Sequence, residues 1–278
     1  MSVLFGFEAY SPKEIALRVE NIGVAKARLP LLPMFLLGIL AGAFIGLGAL
    51  CFVLVKSDLA LSFAVSQLLG GLVFSLGLIL VVVAGAELFT GNNLLAIAWV
   101  DNKISSRELL KNWLVVCVAN FVGAVGLAFL VFFSGHTDMN NGEIAQQYLT
   151  IAASKTNLSF GTAFFKGVLC NILVCMAVWM AVAGRTVVDK VVVIIFPITA
   201  FVAAGFEHSI ANMYLIPMGM LIEAFSGLES TPNGLGIVGL LKNLLPVILG
   251  NILGGSGFVA LVYHVIYRGG AANHKESP

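Results

Sequence analysis

Six long apolar runs, separated by short polar stretches, account for most of the chain. Each run is long enough to cross a hydrocarbon layer about 30 Å thick as a helix of roughly 20 residues. The runs cover residues 31–55, 59–100, 113–133, 167–184, 191–222 and 244–267. The pattern predicts an all-α integral membrane protein with six transmembrane helices.

Composition agrees with this class and removes others. The 278 residues are 59% hydrophobic and 10% charged, whereas soluble domains carry about 25% charged residues. A net charge of +1 argues against a nucleic-acid partner. The four cysteines lie in apolar runs without CxxC or Cys/His spacing, so neither a metal site nor a cofactor is predicted.

A different pattern precedes the first run, within residues 1–30. The stretch from Ser11 to Glu14 is a capping box with proline at the first helical position. Apolar residues follow at helical spacing, with charges between them: Ile15, Val19 and Ile22. This spacing predicts a short amphipathic helix at the membrane surface.

The lysines and arginines set the orientation. If both termini lie on one side, that side holds eleven of these residues and the opposite side holds four. Because cytoplasmic loops are enriched in Lys and Arg, the bias predicts that both termini, including a tail at 269–278, are cytoplasmic.

The runs at 59–100 and 191–222 are unusual for simple helices. The first contains GAELFTGNN, with Glu87 as its only charge, and the second contains GFEHSIAN in the same relative place. Glycine, small polar residues and an acid in mid-span predict interrupted helices. Irregular backbone at that depth persists only where it is buried in protein or lines a cavity.

The two interruptions belong to an internal repeat. Three positions recur in both, and they are Gly85, Glu87 and Asn92 in the first, and Gly205, Glu207 and Asn212 in the second. Runs three and six also open alike, with Lys-Asn at 111 and at 242. We therefore predict two copies of a three-helix unit, at about 31–133 and 160–268, within a transmembrane domain that covers 31–268.

Three crossings per copy require that the copies be inverted. Inverted repeats with discontinuous helices place a binding site near the midplane, where the breaks meet. The half-helices that follow the breaks begin there, and their free N–H groups favour a small anion if they face the path.

The second break carries the most distinctive group. His208 is the only histidine inside a run away from its ends, and intramembrane ionisable groups are functional by default. The alternative is that its nitrogens satisfy the broken backbone. Glu87 and Glu207 suit a structural role, such as accepting loop N–H groups, better than a proton relay. Asn171 has no equivalent in the first copy and could face His208.

Residues 254–257 read Gly-Gly-Ser-Gly, a pattern found in intramembrane serine proteases, with His264 on the same helix. The repeat gives a simpler explanation. Gly254 and Gly257 correspond to Gly123 and Gly126, and glycines at this spacing allow close helix packing.

Three motifs in order resemble the formate–nitrite transporter family. They are ELFTGNN at 87–93, NILVCMAVWMA at 171–181 and GFEHSIANMYLIPMG at 205–219. The resemblance extends from about residue 10 to residue 268. It implies an aquaporin-like fold with broken helices two and five, assembled as a homopentamer in a bacterial or archaeal cytoplasmic membrane. It also implies transport of formate, nitrite or hydrosulfide, with no enzymatic activity.

The resemblance also assigns residues. The implied pore and substrate-binding residues are His208, Thr90, Asn171 and Lys155, the last of these in an outer loop. The implied constriction residues are Phe74, Leu78, Leu88 and Phe201. This chain departs from the family pattern at Lys166, where many members have an apolar residue.

A mechanism follows as a hypothesis. An isolated carboxylate in a low dielectric is so unfavourable that it neutralises instead. We expect formate to pass the apolar constrictions as the acid, with His208 mediating proton exchange. Nitrite or hydrosulfide is the alternative substrate, and a channel for water, glycerol or ammonia is a less favoured one, since no Asn-Pro-Ala occurs.

Overall fold

The computed structural model describes residues 9–228 and 235–267, and helices form its framework. The predicted tail at 269–278 lies outside the described residues. The helices are α1 Pro12–Ala27, α2 Leu31–Lys56, α3 Phe63–Leu80, α4 Ala96–Val100, α5 Ser106–Phe133, α6 Glu143–Thr156, α7 Phe160–Ala183, α8 Val187–Ala203, α9 Ser209–Ser226, α10 Ile237–Ile252 and α11 Val262–Tyr267. A π-helical segment, Leu253–Leu261, joins α10 to α11.

Five continuous helical segments are long and apolar enough to cross a membrane, and one of them is only the first part of the predicted run at 59–100. They are Leu31–Lys56, Phe63–Gly85, Ser106–Phe133, Phe160–Ala183 and Ile237–Tyr267. The run at 191–222 does not form one continuous helix, because α8 ends at Ala203 and α9 begins at Ser209. Several helices begin earlier than the apolar pattern indicates. For α5 the reason is a capping box in which Ser105 and Glu108 bond each other's backbone N–H groups.

α1 lies where the sequence predicts an amphipathic helix, and its position at the membrane surface stays a prediction. Ser11 is its N-cap, and the hydroxyl of Ser11 donates to the Glu14 carboxylate at 2.7 Å. This bond, together with one from the Ser11 backbone N–H, holds the pKa of Glu14 below its usual value. The packed face differs from the predicted one, because Ile15 and Val19 are buried but Ile22 is exposed. That face packs against α4 and α7 of the protein itself.

Both predicted helix interruptions are present. Residues 86–90 and 204–208 are not helical. Gly85 comes directly before the first of these breaks with a φ of +85°, and Gly205 lies inside the second with a φ of +68°. Only glycine adopts such φ values at little cost. After the first break the chain forms a short 3₁₀ turn, Gly91–Leu95, before α4. After the second break it enters the longer α9 directly.

Two asparagines hold the broken backbone in the same way. The Asn120 amide donates to the carbonyls of Gly38 and Glu87, and its oxygen accepts the Phe89 N–H at 2.9 Å. Asn251 repeats the arrangement in the second half, where it donates to the carbonyls of Gly167 and Glu207 and accepts the Ser209 N–H. Through these bonds each asparagine satisfies backbone groups of its break and ties the break to a neighbouring helix, at Gly38 in α2 or Gly167 in α7.

Close helix packing is predicted at Gly123, Gly126, Gly254 and Gly257, and the structure shows it at two of these positions. A Cβ on Gly123 would lie 1.9 Å from the Ile39 carbonyl oxygen, and one on Gly254 would lie 2.2 Å from that of Val168. Gly126 has open space around it. The protease pattern has no matching geometry, because Ser256 donates to the Asn93 carbonyl.

We expect Gly123→Ala to lower the apparent melting temperature in detergent, because the added methyl group forces α2 and α5 apart. Overpacking of this kind costs about 1–3 kcal/mol. Gly126→Ala on the same helix is the control, and it should leave the melting temperature unchanged or slightly raised, since alanine favours helix. Equal melting temperatures for the two variants would contradict the packing argument.

Candidate functional site

His208 stands where the second break meets α9. Its Nδ1 accepts the N–H of Ala211 at 3.1 Å, so the ring is the N-cap of α9. Because Nδ1 is an acceptor, the neutral ring carries its proton on Nε2. Nε2 lies 3.0 Å from Oγ1 of Thr90, which places the two breaks in direct contact. The ring therefore satisfies broken backbone through Nδ1, as one of the two interpretations of the sequence holds, and meets the first repeat through Nε2; its functional role stays a prediction.

An aromatic ring packs on the imidazole, and the other predicted constriction residues are buried as well. The Phe201 ring stacks on the imidazole, with centroids 5.8 Å apart, and Phe74 meets Phe201 edge-on at 5.7 Å. Leu78 and Leu88 are each 2% exposed. All four predicted constriction residues are thus buried beside the two breaks.

Two cavities approach the site. One, the α1-side cavity, has a volume of about 490 Å³ and is lined in part by Arg18, Lys26, Leu78, Leu88, Arg185 and Lys190. The other, the α6-side cavity, has a volume of about 220 Å³ and is lined in part by Phe74, Lys155, Lys166, Phe201, Glu207 and His208. Within the described part of the chain, no residue lines both cavities. The predicted constriction residues therefore divide between them, two on each side.

A buried carboxylate lies beside each break. Glu207 pairs with Nζ of Lys155 at 2.9 Å and accepts the amides of Asn212 at 2.7 Å and Asn243 at 3.4 Å. The donors to this carboxylate are thus side chains, and not the loop N–H groups that the sequence suggested. The side chains of Lys155 and Glu207 are only 14% and 5% exposed, so the pair is held largely out of solvent.

The first repeat contains the same cluster. Glu87 pairs with Nζ of Lys26 at 2.9 Å and accepts the Asn92 amide at 2.7 Å. Asn112 bonds the Lys26 carbonyl, as Asn243 bonds that of Lys155. The equivalence of the two halves therefore continues beyond 31–133 and 160–268 into α1 and α6.

The position of Lys155 differs from the expected outer loop. It lies in the last turn of α6, a helix that the sequence did not predict. α6 packs against α9, and the hydroxyl groups of Tyr148 and Tyr214, one from each helix, lie 2.7 Å apart in the core. Lys155 is therefore fixed on Glu207 and does not offer an unpaired charge.

Asn171 also differs from its expected place. Its amide nitrogen contacts the carbonyl oxygens of Thr90 and Asn251 and the side-chain oxygen of Asn93, at 3.2, 2.7 and 2.9 Å. It reaches the backbone of the first break, and not the imidazole. Cys175 reaches the same Thr90 carbonyl at 3.3 Å. Asn171 thus contributes by holding Thr90 in place.

Two N–H groups in the first turn of α9 have partners within the protein. The N–H of Ser209 is taken by Asn251, and the N–H of Ala211 is taken by His208. In the first break, Asn120 takes the N–H of Phe89. These three backbone N–H groups are therefore committed within the protein.

Sequence reasoning missed Lys26, Asn112 and Asn243. A signal for each was present. Lys26 precedes Gly38 by the same spacing that separates Lys155 from Gly167, and the Lys-Asn pairs that open runs three and six contain the two asparagines. Extending the comparison of the halves to residues before the first run would have found them.

A sequence model described as "Formate/nitrite transporter" matches residues 13–265. The chain belongs to the formate/nitrite transporter family. The formate channel FocA of Haemophilus influenzae is 40% identical over an alignment of 263 residues, and the match covers 89% of this chain and 91% of that protein. Members of this family are transporters, and this chain is an integral membrane protein of that kind.

Solved structures show the same architecture. A pentameric formate channel with formate bound has a TM-score of 0.80 at 40% identity, over 85% of this chain and 97% of that one. The aquaglyceroporin of Plasmodium falciparum has a TM-score of 0.50 at 17% identity, over 87% and 99% of the two chains. The formate/nitrite transporter fold of this chain is therefore aquaporin-like.

Proposed function

We propose that this protein is a formate channel that acts as a homopentamer with one pore in each subunit. The formate channels at about 40% identity over most of the chain support this substrate and assembly. The single observation that carries the proposal is the contact of His208 with Thr90, since His208 lines the cationic α6-side cavity, and Leu88 and Gly91, which flank Thr90 in the sequence, line the cationic α1-side cavity.

In this proposal the polypeptide chain crosses the membrane six times. The segment from α3 to α4 counts as one crossing, and so does the segment from α8 to α9. The excess of Lys and Arg on the side of the termini supports a cytoplasmic α1-side cavity and an external α6-side cavity. The protein resides in the cytoplasmic membrane of a bacterium or an archaeon.

Formate must lose its hydration shell to pass the constrictions. On the α6 side these are the rings of Phe74 and Phe201, and on the α1 side they are Leu78 and Leu88. An ionised carboxylate in such surroundings is strongly disfavoured. The ion therefore gathers in the cationic cavities, takes up a proton from the water there, crosses the constrictions as formic acid and returns the proton to water on the far side.

His208 and Thr90 supply the polar contact between the constrictions. The neutral ring presents Nε2–H, and the Thr90 hydroxyl can donate or accept, so the pair can bond either oxygen of formic acid. A proton added to the ring must go to Nδ1, which then loses the Ala211 N–H. Proton exchange at His208 is in this way linked to the first turn of α9.

The test is flux through purified protein in liposomes. We expect labelled formate to enter faster than in protein-free vesicles, with a rate that depends on pH. Osmotic swelling in glycerol should match the protein-free control. Nitrite and hydrosulfide uptake, measured in the same vesicles, identify the alternative substrates of the family. Glycerol permeation without formate flux would overturn the proposal.

A further inference from the structure

Lys166 and Leu37 occupy the same place in the two halves of the protein. The carbonyl of Lys166 accepts the N–H of Glu207 at 3.3 Å, and the carbonyl of Leu37 accepts the N–H of Glu87 at 3.2 Å. Both residues come directly before an equivalent glycine, Gly167 or Gly38. The backbone role is therefore shared, while the ammonium group occurs in one half only.

The charges that line the α6-side cavity do not cancel. Three charged residues line it, and they are Lys155, Lys166 and Glu207. Lys155 and Glu207 form a pair at 2.9 Å. Among the described residues Lys166 makes no ion pair, and its side chain is half-buried at the cavity. The net positive charge of this cavity comes from Lys166.

The α1-side cavity does not depend on one cation in this way. Besides Lys26, which pairs with Glu87, it is lined by Arg18, Arg185 and Lys190. The two guanidinium groups lie over the ring of Tyr10 at 3.5 and 4.5 Å. Loss of one charge there leaves other cations, whereas loss of Lys166 leaves the α6-side cavity with only the Lys155–Glu207 ion pair, whose charges cancel.

We propose that Lys166 is the residue that captures anions at the α6-side entrance of the pore. It contributes to substrate concentration and not to passage, since it stands outside the His208–Thr90 pair. A cleft with a low-dielectric wall and one sign of charge raises the local concentration of a counter-ion by about tenfold or more. This inference rests on the proposed function, because it requires that a small anion is transported.

The test uses Lys166→Leu, which installs the residue of the equivalent place in the first half. Labelled formate uptake is measured as a function of concentration in right-side-out and inside-out membrane vesicles at low ionic strength. For uptake from the α6 side, we expect the half-saturating concentration to rise about threefold to tenfold. The maximal rate and the uptake from the α1 side should stay within about twofold of the wild type.

Two further measurements separate capture from a structural effect. Lys166→Arg keeps the charge and should behave as the wild type does. At an ionic strength near 1 M, where the screening length is about 3 Å, the difference between wild type and Lys166→Leu should disappear. A lower maximal rate that persists at high salt would mean that the leucine disturbs the pore, and it would overturn the capture role.

The two proposals fail in different ways. If the wild type carries no formate, nitrite or hydrosulfide, the proposed function fails and the capture role fails with it. If the wild type conducts formate and Lys166→Leu has an unchanged half-saturating concentration on both sides, only the inference about Lys166 is overturned.

Discussion

Replacing His208 by asparagine is expected to abolish the pH dependence of formate flux while leaving the protein folded. Asparagine can still accept the N–H of Ala211 as an N-cap and can bond Thr90, but it does not titrate. In the proposed pore, His208 is the side chain between the constrictions that can gain and lose a proton. Flux of labelled formate into liposomes, measured from pH 5 to pH 8, checks this expectation.

His208→Phe is the companion variant. It removes the cap as well as the proton site, so we expect the same loss of pH dependence with a further loss of about 1 kcal/mol in stability. The pair of variants separates the two roles of the ring. A pH profile in His208→Asn that matches the wild type would show that proton exchange occurs elsewhere.

Replacing Glu207 by alanine is expected to destabilise the protein more than any other single change at the breaks. The ammonium of Lys155 would remain buried without its carboxylate, and the amides of Asn212 and Asn243 would lose their acceptor. Removing one partner of a buried pair costs about 3–5 kcal/mol. The measurement is the apparent melting temperature of the purified protein in detergent.

The first repeat provides the matched control. Glu87→Ala removes the equivalent carboxylate, but its partner Lys26 has a side chain that is 28% exposed, against 14% for Lys155. Water can hydrate Lys26 more readily, so the loss of stability should be smaller. A double variant, Glu207→Ala with Lys155→Met, should recover part of the loss, because it removes the buried charge. Equal melting temperatures for Glu207→Ala and the wild type would show that the pair is not a stabilising contact.

The sequence was most informative where hydrophobic pattern and repetition agree. Run length predicted the membrane class, and the recurring glycine, glutamate and asparagine predicted both helix breaks. A single chemical outlier, His208, pointed to the contact between the breaks. These features follow from the order of residues along the chain and from the free-energy cost of placing polar groups in lipid, so one sequence is enough to predict them.

Other features depend on which groups meet in space. α6 is too short and too polar to stand out as a span, so Lys155 was assigned to a loop. The partner of Glu87 is Lys26, which lies before the first run, and its contact depends on how α1 packs. Asn171 was expected at the imidazole because it lacks a counterpart, yet its amide is taken by three oxygens of the first break and α10. The lack of a counterpart in the first half does not determine which groups the Asn171 side chain contacts.

The matching lysine–carboxylate clusters bear on how such a chain could arise. A half-length ancestor that contained α1 through α5 would hold one complete cluster of its own. Two such molecules, inserted in opposite directions, would build both ends of the conduit without any new residue. Duplication and fusion would then free each half to diverge, which would account for an imidazole and a Lys166 ammonium that occur in the second half alone.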